Sequence, residues 1–189
     1  MEGPRKLITS ETGIALIKRF EGCVLKAYKA VASEKYWTIG FGHYGPDVHQ
    51  GDQITMEKAV EYLKLDLQNA EAVVNKAGKW NQNQFDALVS FTYNCGAGNL
   101  ARLVNGRSAD QIADAMLLYV KSGGLTLQGL VRRRRAEREL FLTECDELVT
   151  VSKPPIGEDC QKPKKPRKAS VDKSGDSVDK PKKTRAKKA

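Results

Sequence analysis

The stretch Ile14-Ala-Leu-Ile-Lys-Arg-Phe-Glu-Gly22 puts a carboxyl group where a side chain should be buried. Ile14 and Ile17 share one helical stripe, and Glu21 is its next member at spacing i+4. Burial disfavours a charged carboxylate and raises its pKa above the ordinary value of about 4.3. A carboxylic acid that keeps its proton near neutrality is what a general acid needs. Downstream, Trp37, Ile39 and Phe41 alternate with Thr38, Gly40 and Gly42, the period of a strand with one apolar face. Thr38 falls on the other face, beside two glycines that let a bulky ligand approach the backbone. A solvated surface charge is the plain alternative for a lone Glu at a helix end.

Other polar residues have more ordinary readings. Glu34 and Asp47 lie in loops, where charges are usually solvated. Asp66 sits at i+3 from Leu63 and i−4 from Ala70, on the apolar side of a helix, where a charge needs a partner. His43 ends the second extended run, and a structural His43–Asp66 ion pair is expected. His43 and His49 are the only histidines, neither at metal-ligand spacing from a cysteine, so no metal and no cofactor is expected. Arg132 to Arg135 cannot form one basic stripe, because successive helical residues point around the circumference. Arg133–Glu137 and Arg135–Glu139 are read as i,i+4 ion pairs instead.

These groups must be positioned by helices around a small β-region. Ser10 caps the first helix, Gly22 ends it, and an extended run from Leu25 to Lys29 follows. Val31 to Lys35 is a turn, and Tyr36 to His43 returns as the second arm of a hairpin. Thr55 caps a long helix to about Lys76, with Ala59, Leu63, Leu67, Ala70 and Val74 along one stripe. Gln82 to Asn94 is a helix with Phe85, Leu88, Val89 and Thr92 inward. Ser108 to Gln111 is a capping box for a helix to about Ser122, stopped by Gly123-Gly124. The last helix runs from about Thr126 to Leu148. The fold class is therefore α+β and mainly helical, in two lobes with a cleft between them.

The chain of 189 residues carries a net charge of +9. Residues 153–189 hold 13 Lys and Arg against 5 Asp and Glu, a net of +8. That tail is rich in Lys and Pro and nearly devoid of large apolar residues, so it is predicted to be disordered. The expected division is a folded unit over 1–150 and a basic tail over 151–189. It reads either as a solvating extension or as a polyanion-binding segment, for wall polymers, phospholipid or nucleic acid. It has no aromatic residue to stack on bases, which argues against specific single-strand recognition. No apolar run long enough to span a membrane occurs, and the N-terminus lacks an apolar signal core. Cys23, Cys95, Cys145 and Cys160 show no CxxC pairing and are read as free thiols of a reducing compartment.

Phe20-Glu-Gly22 followed by Trp37-Thr-Ile-Gly-Phe-Gly-His43 resembles the signature of the phage-type lysozymes, glycoside hydrolase family 24. Gln84 to Gly96 is similar to that family's cleft-lining helix and turn, and Gly129 to Phe141 to its C-terminal helix. The resemblance covers roughly residues 8–145. It implies a lysozyme-like fold, with a small β-hairpin lobe joined by a long helix to a helical lobe. It implies cleavage of the β-1,4 bond between N-acetylmuramic acid and N-acetylglucosamine in bacterial peptidoglycan. It also implies an endolysin of a phage, acting as a monomer, made in the host cytoplasm and released through a holin-type pore. Glu21 matches the family's acid and Thr38 its threonine. Tyr93 and Asn94 match positions that line the sugar cleft.

The family's Asp, nine residues after the Glu, is absent: Ala30 stands there, and the loop before Thr38 is two residues longer than is usual. Glu34 or Asp47 could supply that carboxylate from a new position. Thr38 and the substrate could position water for a single acid. Alternatively the chain is a non-hydrolytic glycan-binding protein built on the same fold.

Overall fold

The computed structural model describes residues 6–144; what the sequence predicts for 1–5 and 145–189, the basic tail, Cys145 and Cys160 included, lies outside them. Helix α1 (Glu11–Phe20) starts at Ser10, whose side chain accepts from the Gly13 N–H, and buries Ile14 and Ile17. Three antiparallel strands follow: β1 (Val24–Tyr28), β2 (Trp37–Gly40) and β3 (His43–Gly45), in that order across the sheet. The lobe is thus one strand larger than the hairpin expected from the sequence. Gly40 and Gly42 have φ of 63° and 107°, so the expected second strand turns at Phe41-Gly42 and restarts as β3. Only glycine enters that region of φ at little cost.

Register decides which residues share a face. Thr38 lies opposite Tyr28 of β1 and opposite Tyr44 of β3, while Ile39 lies opposite His43. Directly opposed residues project to the same side. Tyr28, Thr38 and Tyr44 therefore form one row. Ile39 and Trp37 occupy the other face, packed with Ala27, Val48, Ile54 and Tyr62. Residues 52–54 run beside the outer edge of β1. Lys26 bridges Gln53, the Ala27 N–H donates to the Asp52 carbonyl at 2.9 Å, and the Ile54 N–H donates to the Leu25 carbonyl at 2.9 Å.

Helix α2 (Met56–Ala77) is capped by Thr55 and buries Ala59, Leu63, Leu67, Ala70 and Val74, the stripe read from the sequence. Helix α3 (Gln82–Cys95) opens on an Asn81/Gln84 capping box and is buried continuously from Phe85 to Thr92. It is the central helix, in contact with α1, α2, α4 (Ala97–Val104) and α6 (Gln128–Leu142). Helix α5 (Ala109–Met116) has the predicted Ser108/Gln111 capping box but ends at Met116 rather than Ser122. Gly123 and Gly124 have φ of 61° and 83° and form the two-residue turn between β4 (Lys121–Ser122) and β5 (Leu125–Thr126). They close a hairpin instead of stopping a helix, because two successive positive φ values suit that turn.

Asp86, fully buried in α3, ties the first helix to the centre. It accepts from the Ser10 N–H at 3.0 Å, from the Ser10 hydroxyl, and from Gln82 Nε2 at 2.9 Å. Among the described residues no helix is long and apolar enough to cross a membrane.

Candidate active site

Glu21 is the C-terminal cap of α1, and its N–H donates to the Ile17 carbonyl at 3.0 Å. Its side chain is 11% exposed. The sequence reading foresaw this burial but not the company. Arg133 Nη1, from α6, donates to Glu21 Oε1 at 2.6 Å. Burial favours a neutral carboxyl group, and an adjacent guanidinium favours a charged one. The guanidinium thus opposes the desolvation on which the sequence reading of this acid rests.

Arg133 is itself buried, and so is everything that holds it. Its Nε donates to Glu137 Oε1 at 2.9 Å, and its Nη2 donates to the Ser90 carbonyl at 3.2 Å. The Ser90 hydroxyl donates to the same Glu137 oxygen at 2.7 Å. Burial works against the Arg133 charge, but the charges of Glu137 and Glu21 outweigh it and hold its pKa above the ordinary value. The guanidinium is therefore a fixed cation joining α1, α3 and α6. Of the four successive arginines, Arg133 and Arg134 are buried, while Arg132 and Arg135 are exposed. The Arg133–Glu137 pair is present, but among the described residues the expected Arg135–Glu139 pair does not form.

Arg134 reaches the end of α3. Its Nη2 donates to Asn94 Oδ1 at 2.7 Å and its Nη1 to Cys95 Sγ at 3.1 Å. Asn94 is therefore anchored by its oxygen, next to a half-buried Tyr93 that packs against the core. Among the described residues, Cys23 and Cys95 are not joined in a disulfide. Burial pushes the Cys95 thiol up, so it stays protonated near neutrality.

The sheet supplies a second set of groups. Thr38 is buried at the middle of the Tyr28–Thr38–Tyr44 row. In the loop between β1 and β2, Glu34 folds back so that its Oε2 accepts from the Ala30 N–H at 3.0 Å. Lys29 Nζ donates to the Glu34 carbonyl at 2.7 Å, closing the loop. Burial, and then the Glu34 charge, push the Tyr28 hydroxyl up.

His43 lies on the other face. Its Nδ1 is 2.9 Å from Asp66 Oδ1 and its Nε2 is 3.0 Å from Asp47 Oδ2. Its ring stacks on Tyr62 at 4.2 Å, nearly parallel. A neutral imidazole donates from only one nitrogen, so two carboxylates together call for the charged form. Burial opposes that charge, but the bonds to Asp47 and Asp66 outweigh it and the His43 pKa rises. The same bond holds Asp47 below the usual carboxylate range. Asp47 is thus engaged on the side of the sheet away from Thr38, an unsuitable place for the replacement carboxylate suggested by the sequence. Among the described residues no cluster of His, Cys, Asp and Glu could hold a metal ion.

Sequence reasoning did not assign Arg133 to Glu21. The signal was present: Arg133, Glu137 and Phe141 recur at i, i+4, i+8, a buried stripe written largely in charged residues.

A helix-end carboxyl set between a helical lobe and a small antiparallel sheet is the layout of a lysozyme-like protein. The family model for phage lysozyme matches residues 18–137, and the chain belongs to that family. It is 50% identical to the endolysin of Bacillus phage B103 over 141 residues, covering 71% of this chain and 54% of that protein. It is 41% identical to the endolysin of Salmonella phage P22 over 145 residues, covering 71% and 97%. The chain spans about half the length of the Bacillus phage relatives it matches. Among solved structures, a P22 lysozyme variant superposes with a TM-score of 0.63 at 38% identity, covering 72% of this chain and 99% of that one. The muramidase domain of SpmX from Asticaccaulis excentricus superposes with a TM-score of 0.63 at 36% identity, covering 72% and 98%.

Proposed function

We propose that this protein is a muramidase that hydrolyses the β-1,4 bond between N-acetylmuramic acid and N-acetylglucosamine, with Glu21 as general acid. The observation that carries the reading is the largely buried Glu21 carboxyl, fixed by Arg133 at 2.6 Å. A proton donor must be held still at the oxygen it protonates. A glycan strand entering the cleft would displace water from Glu21 and favour its neutral form, while Arg133 keeps it aimed. The relatives' names, endolysin and muramidase, support the same chemistry.

Glycosidases use a second carboxyl group. Glu34 takes that role in this reading, since Asp47 is bonded to His43. Glu34 sits on the Ala30 amide, in the loop that follows Tyr28, which faces Thr38 across the β1–β2 ladder. Thr38 would orient water or touch the sugar ring. Asn94 and Tyr93 would meet an N-acetyl group and a pyranose face. Residues 1–150 form the catalytic unit in this proposal, and the basic residues of 151–189 hold the enzyme on anionic wall polymers or membrane. The biological role that follows is lysis of a host bacterium, after synthesis in its cytoplasm and release through a holin-type pore.

The test is a reducing-end assay on purified peptidoglycan, with mass spectrometry of the products. Glu21→Gln should lower the rate at least about 100-fold, and Glu34→Gln about tenfold or more. An undiminished rate in Glu21→Gln would reject Glu21 as the acid. Products cut at an amide bond would reject the muramidase reading. Binding without new reducing ends would instead identify a glycan-binding protein, the alternative that Ala30 raises.

A further inference from the structure

Exposed apolar side chains gather on a part of the molecule that the site does not use. Among the described residues nine large apolar side chains are exposed, and five of them, Leu117, Leu118, Leu125, Leu127 and Leu142, fall between positions 117 and 142. Single exposed leucines are ordinary, but a cluster of them calls for a partner. Leu117 and Leu118 directly follow α5, and the β4–β5 hairpin stands just beyond, with every residue from Lys121 to Gly129 exposed. Leu118 is 76% exposed and Leu125 71%. The Leu127 N–H donates to the Val120 carbonyl at 3.0 Å, which folds the hairpin back beside Leu118. Leu117 shares a groove with Leu142, Arg135, Arg138 and Glu139 of α6. The charge here has a sign. Residues 97–144 hold 8 Lys and Arg against 5 Asp and Glu, whereas residues 6–96 hold 10 of each. Lys121, Arg132 and Arg135 are exposed, while Asp114 is paired with Arg138 at 2.8 Å.

We infer that this face docks on a lipid bilayer carrying anionic headgroups, with the β4–β5 hairpin leading. The composition favours lipid over a protein partner. Protein interfaces draw most of their energy from Trp, Tyr and Arg anchors, and leucine is under-represented among them. The aromatic residues of this stretch point inward instead: Tyr119 is edge-on to Phe91, with centroids 4.9 Å apart, and Phe141 is buried. Leucines rimmed by Lys and Arg suit a surface that lies in the headgroup layer, where the apolar groups reach the acyl chains and the cations meet the phosphates. This contact differs in kind from polyanion attraction by the basic tail. Salt screens charge, whereas burial of leucine survives it. The inference does not depend on which bond Glu21 helps to cleave.

The test is co-sedimentation of the full-length protein with vesicles of phosphatidylcholine alone and of phosphatidylcholine mixed with phosphatidylglycerol, at low and at high salt. The parent should bind the mixed vesicles, and part of that binding should persist at high salt. Leu118→Ser combined with Leu125→Ser should weaken partition about tenfold or more at either salt. Leu65→Ser, which removes an exposed leucine of α2, should leave partition unchanged. Lys121→Gln combined with Arg135→Gln should weaken binding about tenfold, and only on the anionic vesicles. Leu125→Trp should bind as the parent does, with its added emission moving to shorter wavelength on vesicles. Thermal melts of the same variants check folding. No binding by the parent, undiminished binding by the double serine variant, an equal loss in Leu65→Ser, or an unmoved Leu125→Trp emission would overturn the inference. So would a dimer of the parent in light scattering that Leu118→Ser abolishes, since a second copy would then be the occupant. Reducing-end release from peptidoglycan is read separately and bears only on Glu21.

Discussion

On the helical side of the site, Arg133, Glu137 and Ser90 are all buried and bonded to one another, and Glu21 keeps 11% of its side chain exposed. On the sheet side, the Glu34 carboxyl group is held by a backbone amide, and behind it, on the sheet's far face, Asp47 is held by an imidazole and is 53% exposed. The first wall is rigid because each charge would be costly to leave alone in a dry interior. The second can adapt, because water screens its charges and can replace a lost partner. In the proposed muramidase, a fixed donor beside a more yielding sheet suits a site that admits a glycan strand.

The comparison breaks most visibly at Glu137. Glu137→Ala leaves two buried guanidinium groups, Arg133 at 2.9 Å and Arg134 at 3.1 Å, without their shared carboxylate and should cost about 3–5 kcal/mol in urea unfolding. Arg133→Lys is next. A single ammonium cannot reach Glu21, Glu137 and Ser90 as the guanidinium fork does, so about 1–3 kcal/mol should be lost together with activity. On the sheet side, His43→Gln should cost about 1 kcal/mol. Glu34→Gln should change stability by under about 0.5 kcal/mol while lowering activity, which separates the adaptable wall's chemistry from its stability.

The His43 clamp also sets a pH window. The His43 pKa is raised from 6.5, so its contribution is complete below 6.5 and is lost as pH rises through the folded value. The Asp47 pKa is lowered from 3.8, so its contribution is complete above 3.8 and is lost as pH falls through the folded value. The clamp is therefore at full strength between pH 3.8 and 6.5. Unfolding free energy measured against pH should show a His43-dependent decline on the alkaline side that disappears in His43→Gln.

Much of this was legible in residue order. The α2 stripe, the Thr55 and Ser108 caps, and the buried end of α1 followed from period and capping alone, because each depends on neighbours within a turn or two. Helix α4 was missed because Gly96-Ala-Gly98 at its start reads as a loop. The Gly123-Gly124 pair punctuates a helix and a hairpin equally well until its φ values are known. The hold of Arg133 on Glu21 spans 112 positions, and no local pattern encodes a partner that distant.

The short run of residues 52–54 lying along β1 has a consequence for the molecule in company. It occupies the outer rim of the sheet, and the other rim is only the three residues of β3, followed by Pro46, which has no amide hydrogen to offer. The lobe thus presents no extended ladder onto which a neighbouring copy could zip, and it needs no covering helix to remain discrete in a crowded solution.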